Sequence, residues 1–163
     1  MGVEQSELLR GLSVDEAERV RALGTHIRLP SGAELFPLGA PADSLFLVER
    51  GRIALTLPMQ VRQQKEDVLI EERSPGQAFG WSALIPPHRF TLKASAPLDS
   101  EVLSIPRTAL LQFFAAQPEI GYIVTQNVAE VMGQRLQVFQ AMWLREMQRV
   151  IEFRTQPTPR GSL

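Results

Sequence analysis

The sequence predicts a mainly β domain with helices at both ends, in which the strands form an antiparallel sandwich or barrel. Three observations support this fold class. A helix-start signal lies near the amino terminus, a central region alternates short β-prone runs with turn residues, and a stretch of about 35 residues with helical periodicity follows. The chain has 163 residues, which is enough for one domain with room for an additional helix.

The first helix is predicted by residues 13–16, Ser-Val-Asp-Glu, which have the form of a capping box. In such a box the serine and glutamate side chains each bind a backbone N–H at the helix start. Apolar residues follow at helical spacing, and Gly24 stands where a helix would end. We expect a short helix over about residues 14–23.

The central region contains seven short runs of β-prone residues. They are Thr25–Leu29, Glu34–Phe36, Ser44–Glu49, Arg52–Leu57, Val68–Glu71, Phe90–Ala96 and Glu101–Ile105. Turns rich in glycine and proline separate them at close and fairly even spacing, which is typical of an antiparallel sandwich or barrel. The unbroken apolar run Leu45–Val48 predicts a strand that is covered on both faces. The polar segment 60–67 predicts a hairpin tip.

The last part of the chain becomes helical after Pro106. Residues 108–115 predict one short helix, and Pro118 suits the first turn of another. Apolar residues then recur in steps of three or four, at Val124, Val128, Met132, Leu136, Phe139, Trp143, Met147 and Val150. This stripe predicts an amphipathic helix about 50 Å long. Either the stripe packs wholly on the β region or it pairs with its twin in a homodimer, and its length favours the homodimer.

Composition excludes several function classes. The chain has no cysteine, which rules out disulfides, thiolate metal sites and thiol nucleophiles and suits a reducing cytoplasm. Its net charge of −1 gives no global attraction to nucleic acid, and no apolar run is long enough to cross a membrane. His26 and His88 lie too far apart in the sequence to suggest a metal cluster, and no nucleophile or nucleotide-loop motif is present. We therefore expect a cytoplasmic protein that is not an enzyme and has no certain cofactor.

Two segments carry a family resemblance. In residues 39–53 a glycine is followed by an apolar strand and by Gly51, which suits a tight hairpin because glycine accepts a positive φ. In residues 75–94, Pro-Gly-Gln-Ala-Phe-Gly-Trp-Ser-Ala-Leu is followed at a short distance by Arg-Phe-Thr-Leu-Lys-Ala. This second segment resembles the phosphate-binding cassette of the cyclic-nucleotide-binding domain family, which includes the bacterial catabolite activator and the regulatory subunits of protein kinase A.

The resemblance covers roughly residues 7–145 and implies an antiparallel, jelly-roll-like β-roll flanked by a short N-terminal helix and a long C-terminal helix. It also implies a ligand site, where a short helix directs N–H groups at a cyclic phosphate and an arginine neutralises that phosphate. The residues that would line this site are Gly80, Trp81, Ser82, Ala83, Arg89 and Thr91. The implied function is a regulatory domain that senses a small anionic ligand, with cAMP and cGMP as candidates.

The cassette departs from the family pattern at two positions. Trp81 occupies the place of a glutamate that accepts a hydrogen bond from the ribose 2′-hydroxyl, whereas an indole only donates. Arg89 lies one residue closer to Thr91 than the family's arginine does, with His88 at the usual place, and a one-residue shift in a strand turns a side chain to the other face. Trp81 either stacks on a ligand or fills the pocket. The alternative function is therefore a dimeric interaction module without a ligand, and a haem- or metal-dependent sensor is a third, less favoured interpretation.

The resemblance also suggests how the chain is divided. We expect an N-terminal helix and β-roll over residues 1–117, a dimerisation helix over 118–154 and a flexible tail over 155–163. Transcription factors of the family continue after the long helix with a winged helix-turn-helix, whereas only about ten residues follow Phe153 here. The expected partners are thus a second copy of the chain and a small anionic ligand, without direct DNA or membrane binding.

Overall fold

A computed structural model describes residues 6–155 of the protein. Its elements in chain order are α1 (Val14–Arg21), β1 (Thr25–Leu29), β2 (Glu34–Phe36), β3 (Ser44–Arg50), β4 (Ile53–Val61), β5 (Gln64–Arg73), β6 (Ala78–Phe79), β7 (Lys93–Ser95), β8 (Ser100–Pro106), α2 (Arg107–Ala116) and α3 (Pro118–Thr155). A short 3-10 helix, Trp81–Leu84, lies between β6 and β7. The expected fold class is confirmed, with a short helix before the strands and a long one after them.

Within the described residues the strands form two four-stranded sheets, and every pair of neighbours is antiparallel. The first sheet has the order β1-β8-β3-β6 and the second has the order β2-β7-β4-β5. Apolar side chains from both sheets form one buried cluster, which includes the rings of Phe36, Phe46, Phe79 and Phe90. The β region is therefore a roll with an aromatic interior.

Strand β3 is covered on both faces, as the sequence predicted. It lies between β8 and β6, and in its register with β8 Leu45 stands opposite Ile105 and Leu47 opposite Leu103. Every residue from Leu45 to Val48 is buried, whichever way its side chain points. A strand without an exposed face loses the usual alternation of polar and apolar residues, which is why an unbroken apolar run marked it.

The hairpin between β4 and β5 is longer than the sequence predicted. The polar segment 60–67 was expected to be its tip, but the turn is only Arg62–Gln63, and the residues on both sides are paired up to Val61 and Gln64. Both turn residues have positive φ, +48° and +69°. This is the backbone of a two-residue hairpin turn, whose twist matches that of the strands and lets them pair to their ends. The hairpin tip thus lies within the predicted segment 60–67, but it is confined to two residues, and the strands on both sides are longer than predicted.

Two further strand predictions require correction. The short strand β6 was not predicted, because two residues carry no detectable period, and it is formed by pairing with Phe46 and Leu47 of β3. The strand expected over Phe90–Ala96 is regular only in β7, Lys93–Ser95, which lies between β2 and β4. Before β7, the chain makes an isolated bridge between Arg89 and Pro41. Phe90, in the part of this segment before β7, packs into the roll. The backbone there does not pair continuously with a neighbouring strand.

Helix α1 begins at the predicted capping box. The Ser13 hydroxyl accepts the N–H of Glu16 at 3.2 Å, and the Glu16 carboxylate accepts the N–H of Ser13 at 2.9 Å. The helix ends at Arg21, two residues earlier than expected, because Leu23 and Gly24 continue it only as a tighter turn with bonds to carbonyls three residues back.

The chain divides into two compact units, and the first ends at Val128, inside α3. The first unit holds the roll, α1, α2 and the opening turns of α3. In the second unit, every described residue from Leu136 onward is exposed. The expected flexible tail lies outside the described residues from position 156 on. Over residues 6–155, no helix has the length and apolar character needed to span a membrane.

Candidate functional site

The candidate site is built around Gly80, which follows β6 directly. Gly80 has a φ of +78°, a left-handed conformation that residues with a side chain rarely adopt. A Cβ atom added there would lie 2.9 Å from Cδ2 of Phe46, so the backbone also approaches the wall of the roll too closely for a side chain. Both constraints act at the residue where the chain leaves β6. Glycine is therefore required for this path into the 3-10 helix.

The 3-10 helix supplies the next three predicted site residues. The Ala83 N–H donates to the Gly80 carbonyl at 3.1 Å, and the Ile85 N–H donates to the Ser82 carbonyl at 3.2 Å. The first amides of any helix have no acceptor within the helix, so they are available to a ligand or another group. Ser82 and Ala83 are buried, and Ala83 belongs to the core cluster. The structure thus brings Gly80, Ser82 and Ala83 together as one short backbone unit against the roll.

Trp81 is less buried than Ser82 and Ala83, which follow it in the 3-10 helix. It is partly buried, and within residues 6–155 it is neither in the core cluster nor among the side chains packed against that cluster. An indole in this position has an apolar ring and a single N–H donor to offer. It has no acceptor with which to replace the family's carboxylate.

Arg89 and Thr91 lie on either side of Phe90 and are both exposed. Phe90 itself is buried in the core cluster. The Arg89 guanidinium donates from Nη1 to the Gly39 carbonyl at 2.9 Å, its one hydrogen bond to a described residue. The inward position of Phe90 therefore sets Arg89 and Thr91 on the outer side of this segment.

Arg107 links the two halves of the predicted site, a role for which the sequence analysis found no signal. Its Nη1 donates to the carbonyl of Ala42 at 3.1 Å and to that of Ala83 at 3.4 Å. The Ala42 N–H in turn donates to the carbonyl of His88 at 2.7 Å. Arg107 and Ala42 therefore connect Ala83 in the 3-10 helix to the segment that carries Arg89 by a chain of hydrogen bonds. Arg107 is the first residue of α2, where no sequence motif distinguishes it.

His88 is a second feature that the sequence did not reveal. It has a φ of +56°, is partly buried, and its Nδ1 atom is shielded from solvent with no hydrogen-bond partner among the described residues. A shielded polar atom without a partner is costly, so such positions are uncommon in folded proteins. The surroundings of His88 are therefore more constrained than those of an ordinary surface histidine.

Four phenylalanine rings form the inner wall beside the 3-10 helix. Phe46 and Phe79 are stacked with ring centroids 5.1 Å apart, and Phe36 lies 5.7 Å from Phe46. Phe79 immediately precedes Gly80, so this wall is continuous with the start of the cassette. Its residues come from β2, β3, β6 and the segment before β7, which is why no single stretch of sequence revealed it.

A separate surface concavity of about 380 Å³ holds none of the predicted site residues. Its lining includes Arg28 and Arg50 together with Asp99 and Glu101. The two cations are balanced by two carboxylates, and Arg28 lies 3.8 Å from Glu101. The concavity therefore has no excess positive charge with which to attract an anion, and we keep the cassette as the candidate site.

Comparison with known proteins gives two kinds of relative. Glutaminase 1 of Bradyrhizobium diazoefficiens is 30% identical over 137 residues, which are 84% of this chain and 21% of that protein. A cyclic nucleotide-gated potassium channel of Mesorhizobium japonicum is 29% identical over 116 residues, 71% of this chain and 30% of that protein. The chain thus spans about a fifth to a third of the length of these curated relatives.

Solved structures of similar fold include the Thermus thermophilus catabolite activator protein, with a TM-score of 0.73 and 23% identity over 88% of this chain and 63% of that one. A cyclic nucleotide-binding domain from Methylobacillus flagellatus has a TM-score of 0.67 and 20% identity over 97% of this chain and 83% of that one. The sequence profile of the cyclic nucleotide-binding domain matches residues 26–117, which are more than half of the chain and contain the whole cassette. The chain therefore belongs to the cyclic nucleotide-binding domain family.

Proposed function

We propose that this regulatory domain of the cyclic nucleotide-binding type senses a small anionic ligand, cAMP or cGMP, at the cassette formed by Gly80–Ala83 with Arg89 and Thr91. The observation that carries the proposal is the backbone path at Gly80. Its left-handed conformation sends the chain from β6 straight into the 3-10 helix, inside the region that matches the family profile. Backbone N–H groups at such a turn can bind phosphate oxygens without help from a particular side chain.

Arg89 supplies the positive charge in this proposal. Its side chain is exposed and donates only one hydrogen bond to a described residue, so most of its donors are open to a ligand. A guanidinium can bind two phosphate oxygens at once, which makes it a stronger phosphate partner than a single N–H. Binding would require Arg89 to exchange its contact with the Gly39 carbonyl for a contact with the phosphate.

Trp81 determines how the rest of the nucleotide is held. Without a carboxylate at this position, the ribose 2′-hydroxyl has no charged acceptor there. The indole is partly buried and lies outside the core cluster, so its ring can stack on a purine without disrupting the core. We therefore propose a site that relies more on the phosphate and on stacking than on the ribose.

The relatives support a regulatory role over a catalytic one. The region similar to this chain makes up about a fifth of each of two glutaminases of Bradyrhizobium diazoefficiens and 30% of the potassium channel. An enzyme and a channel have no activity in common, so the part they share is better explained as a module that controls an activity located elsewhere. We propose that this domain has no catalytic activity of its own and works in the cytoplasm. Because the net charge is only −1, neither DNA nor an anionic membrane is among the proposed partners.

A homodimer through α3 is the second part of the proposal. Leu136, Trp143 and Val150 recur every seven residues, and Phe139 and Met147 lie between them on the same face. These five side chains are 40% to 63% exposed. A seven-residue apolar repeat is the pattern of a seam between two helices, and the matching face on a second copy is the simplest cover for it.

Calorimetric titration of the full chain with cAMP and with cGMP tests the ligand. We expect saturable heat with at least one of them, and weaker binding of linear 5′-AMP, which carries an additional charge and lacks the cyclic phosphate. The absence of heat with both cyclic nucleotides over a wide concentration range would overturn the ligand assignment. It would leave a dimeric interaction module without a ligand as the function to test next.

A further inference from the structure

The N-terminal segment before α1 is bonded to the strand that leads into the cassette. The Glu7 carboxylate accepts the N–H of Ala78 at 2.7 Å through Oε1, and the same oxygen accepts from the Arg73 guanidinium. The Glu7 N–H donates to the Gly76 carbonyl at 2.9 Å. Glu7 therefore binds the turn between β5 and β6 through its backbone, and it binds the first residue of β6 through its side chain. That residue, Ala78, lies two positions before Gly80.

Arg73 makes this junction sensitive to small displacements. It is only 6% exposed, and its guanidinium also donates to the Ala78 carbonyl at 3.0 Å and to Glu71 at 2.6 Å. A buried cation is tolerated only when it is paired, and the loss of one partner is costly. Movement of β6 away from Glu7 would therefore break the bonds of Ala78 to Glu7 and to Arg73 together. An arrangement that kept only one of them would leave a buried polar group without its partner.

The other side of the same segment is bonded to α3. Asn127 is 9% exposed, and its Nδ2 donates to the carbonyl of Leu8 and to that of Arg10, both at 2.8 Å. The Leu8 and Leu9 side chains are buried. One amide group thus fixes the turn that directly follows Glu7, and this turn has little freedom to move independently of α3.

We infer that residues 7–10 form a clasp that couples the position of β6, and with it the cassette, to the position of the first turns of α3. Glu7 is a positioning residue at the cassette end of the clasp, and Asn127 is its anchor on the helix. Because two bonded ends share one short and mostly buried segment, loosening either end should loosen the other, and the coupling must be reciprocal. The inference concerns the protein without a ligand and does not depend on the proposed function.

Hydrogen exchange measured by mass spectrometry on the full chain tests the clasp in both directions. In Asn127→Ala we expect amides in residues 76–84 to exchange at least about tenfold faster, although Asn127 bonds to none of them. In Glu7→Gln we expect a similar acceleration in residues 120–128. As a matched control, Glu72→Gln breaks the exposed ion pair with Arg52 and should leave residues 120–128 unchanged.

Two outcomes would overturn the inference. In the first, each variant accelerates exchange only at its own end of the clasp. In the second, exchange rises equally over β1 and β8, which shows a general loss of stability without specific coupling. If Asn127→Ala folds poorly, Asn127→Leu removes the same donors while keeping the side-chain volume, and the same pattern is expected of it.

Discussion

The phenyl ring of Phe90 lies flat on the ring of Phe36, with the two centroids 3.5 Å apart and the planes inclined by 8°. This contact determines which way the neighbouring residues face. Because Phe90 is held inside the roll, Arg89 and Thr91 are set on the outer side, ahead of the point where β7 begins. Arg89 is the residue proposed to bind the phosphate. The side of the segment on which it lies is thus set by aromatic packing and does not depend on hydrogen bonds between strands.

Replacement of Arg89 by alanine should weaken cyclic-nucleotide binding by roughly ten- to a hundredfold, because a charge-assisted hydrogen bond contributes about 1.5–3 kcal/mol. Calorimetry with cAMP and cGMP measures the change. Arg28→Ala is the matched control, since Arg28 is an exposed arginine on β1 that belongs to no part of the cassette. Unchanged affinity in Arg89→Ala would show that another group binds the phosphate.

Replacement of Trp81 by glutamate should strengthen binding by roughly ten- to a hundredfold, because the variant gains a charged acceptor for the ribose 2′-hydroxyl. Trp81→Gln is the matched control, since its neutral acceptor forms a weaker bond, and its affinity should be intermediate. If both variants bind more weakly than the wild type, the indole itself contacts the ligand and its stacking outweighs the missing acceptor. Tight binding by Trp81→Glu alone, with none by the wild type, would mean that Trp81 fills the pocket.

Replacement of Gly80 by alanine should destabilise the protein more than the same change at Gly39. Both glycines have a positive φ, +78° and +82°, so both alanine variants carry the same backbone strain, on the order of 1–2 kcal/mol. A Cβ at Gly39 meets nothing within 4 Å, whereas one at Gly80 lies 2.9 Å from Phe46. We expect an additional cost of about 1–3 kcal/mol for Gly80→Ala from this contact. Urea denaturation measures the free energy of unfolding, and equal losses in the two variants would contradict the steric argument.

Replacement of Trp143 by alanine should weaken the proposed dimer by at least about 2 kcal/mol, as is common for a large aromatic side chain at the centre of an interface. Analytical ultracentrifugation over a range of concentrations measures the dissociation constant. Val138→Ala is the matched control, because Val138 is as exposed as the seam residues but lies on the opposite side of α3. A wild-type chain that sediments as a monomer at tens of micromolar would refute the dimer.

The sequence predicted those elements whose signal is local. Ser13 and Glu16 are three residues apart and marked the start of α1, and the run Leu45–Val48 marked a central strand. The periodicity that predicted α3 likewise depends on neighbours one turn apart. In each case the residues that produce the signal lie within a few positions of one another in the sequence.

Contacts between distant residues left no such signal. Glu7 and Arg73 are 66 positions apart, and nothing in either segment indicates that they meet. The same holds for Phe36 and Phe90, whose stacking sets the orientation of Arg89. The sequence therefore suggested candidate cassette residues but could not show which way Arg89 faces, since its orientation depends on the packing of Phe90 against Phe36 in the folded roll.

The composition of β5 has a consequence for how this protein meets other chains. β5 is the outermost strand of its sheet and by far the longest strand at a sheet edge, and six of its ten residues are charged. Asp67 on this strand also binds the Lys93 ammonium at 2.6 Å, and this hydrogen bond raises the pKa of Lys93. An extended segment of another chain could pair with this edge only by placing its backbone beside these charged side chains. The charges therefore disfavour strand addition and the aggregation that strand addition can start. Strand addition at the β5 edge is thereby disfavoured, which agrees with the proposal that a second copy binds through the apolar face of α3.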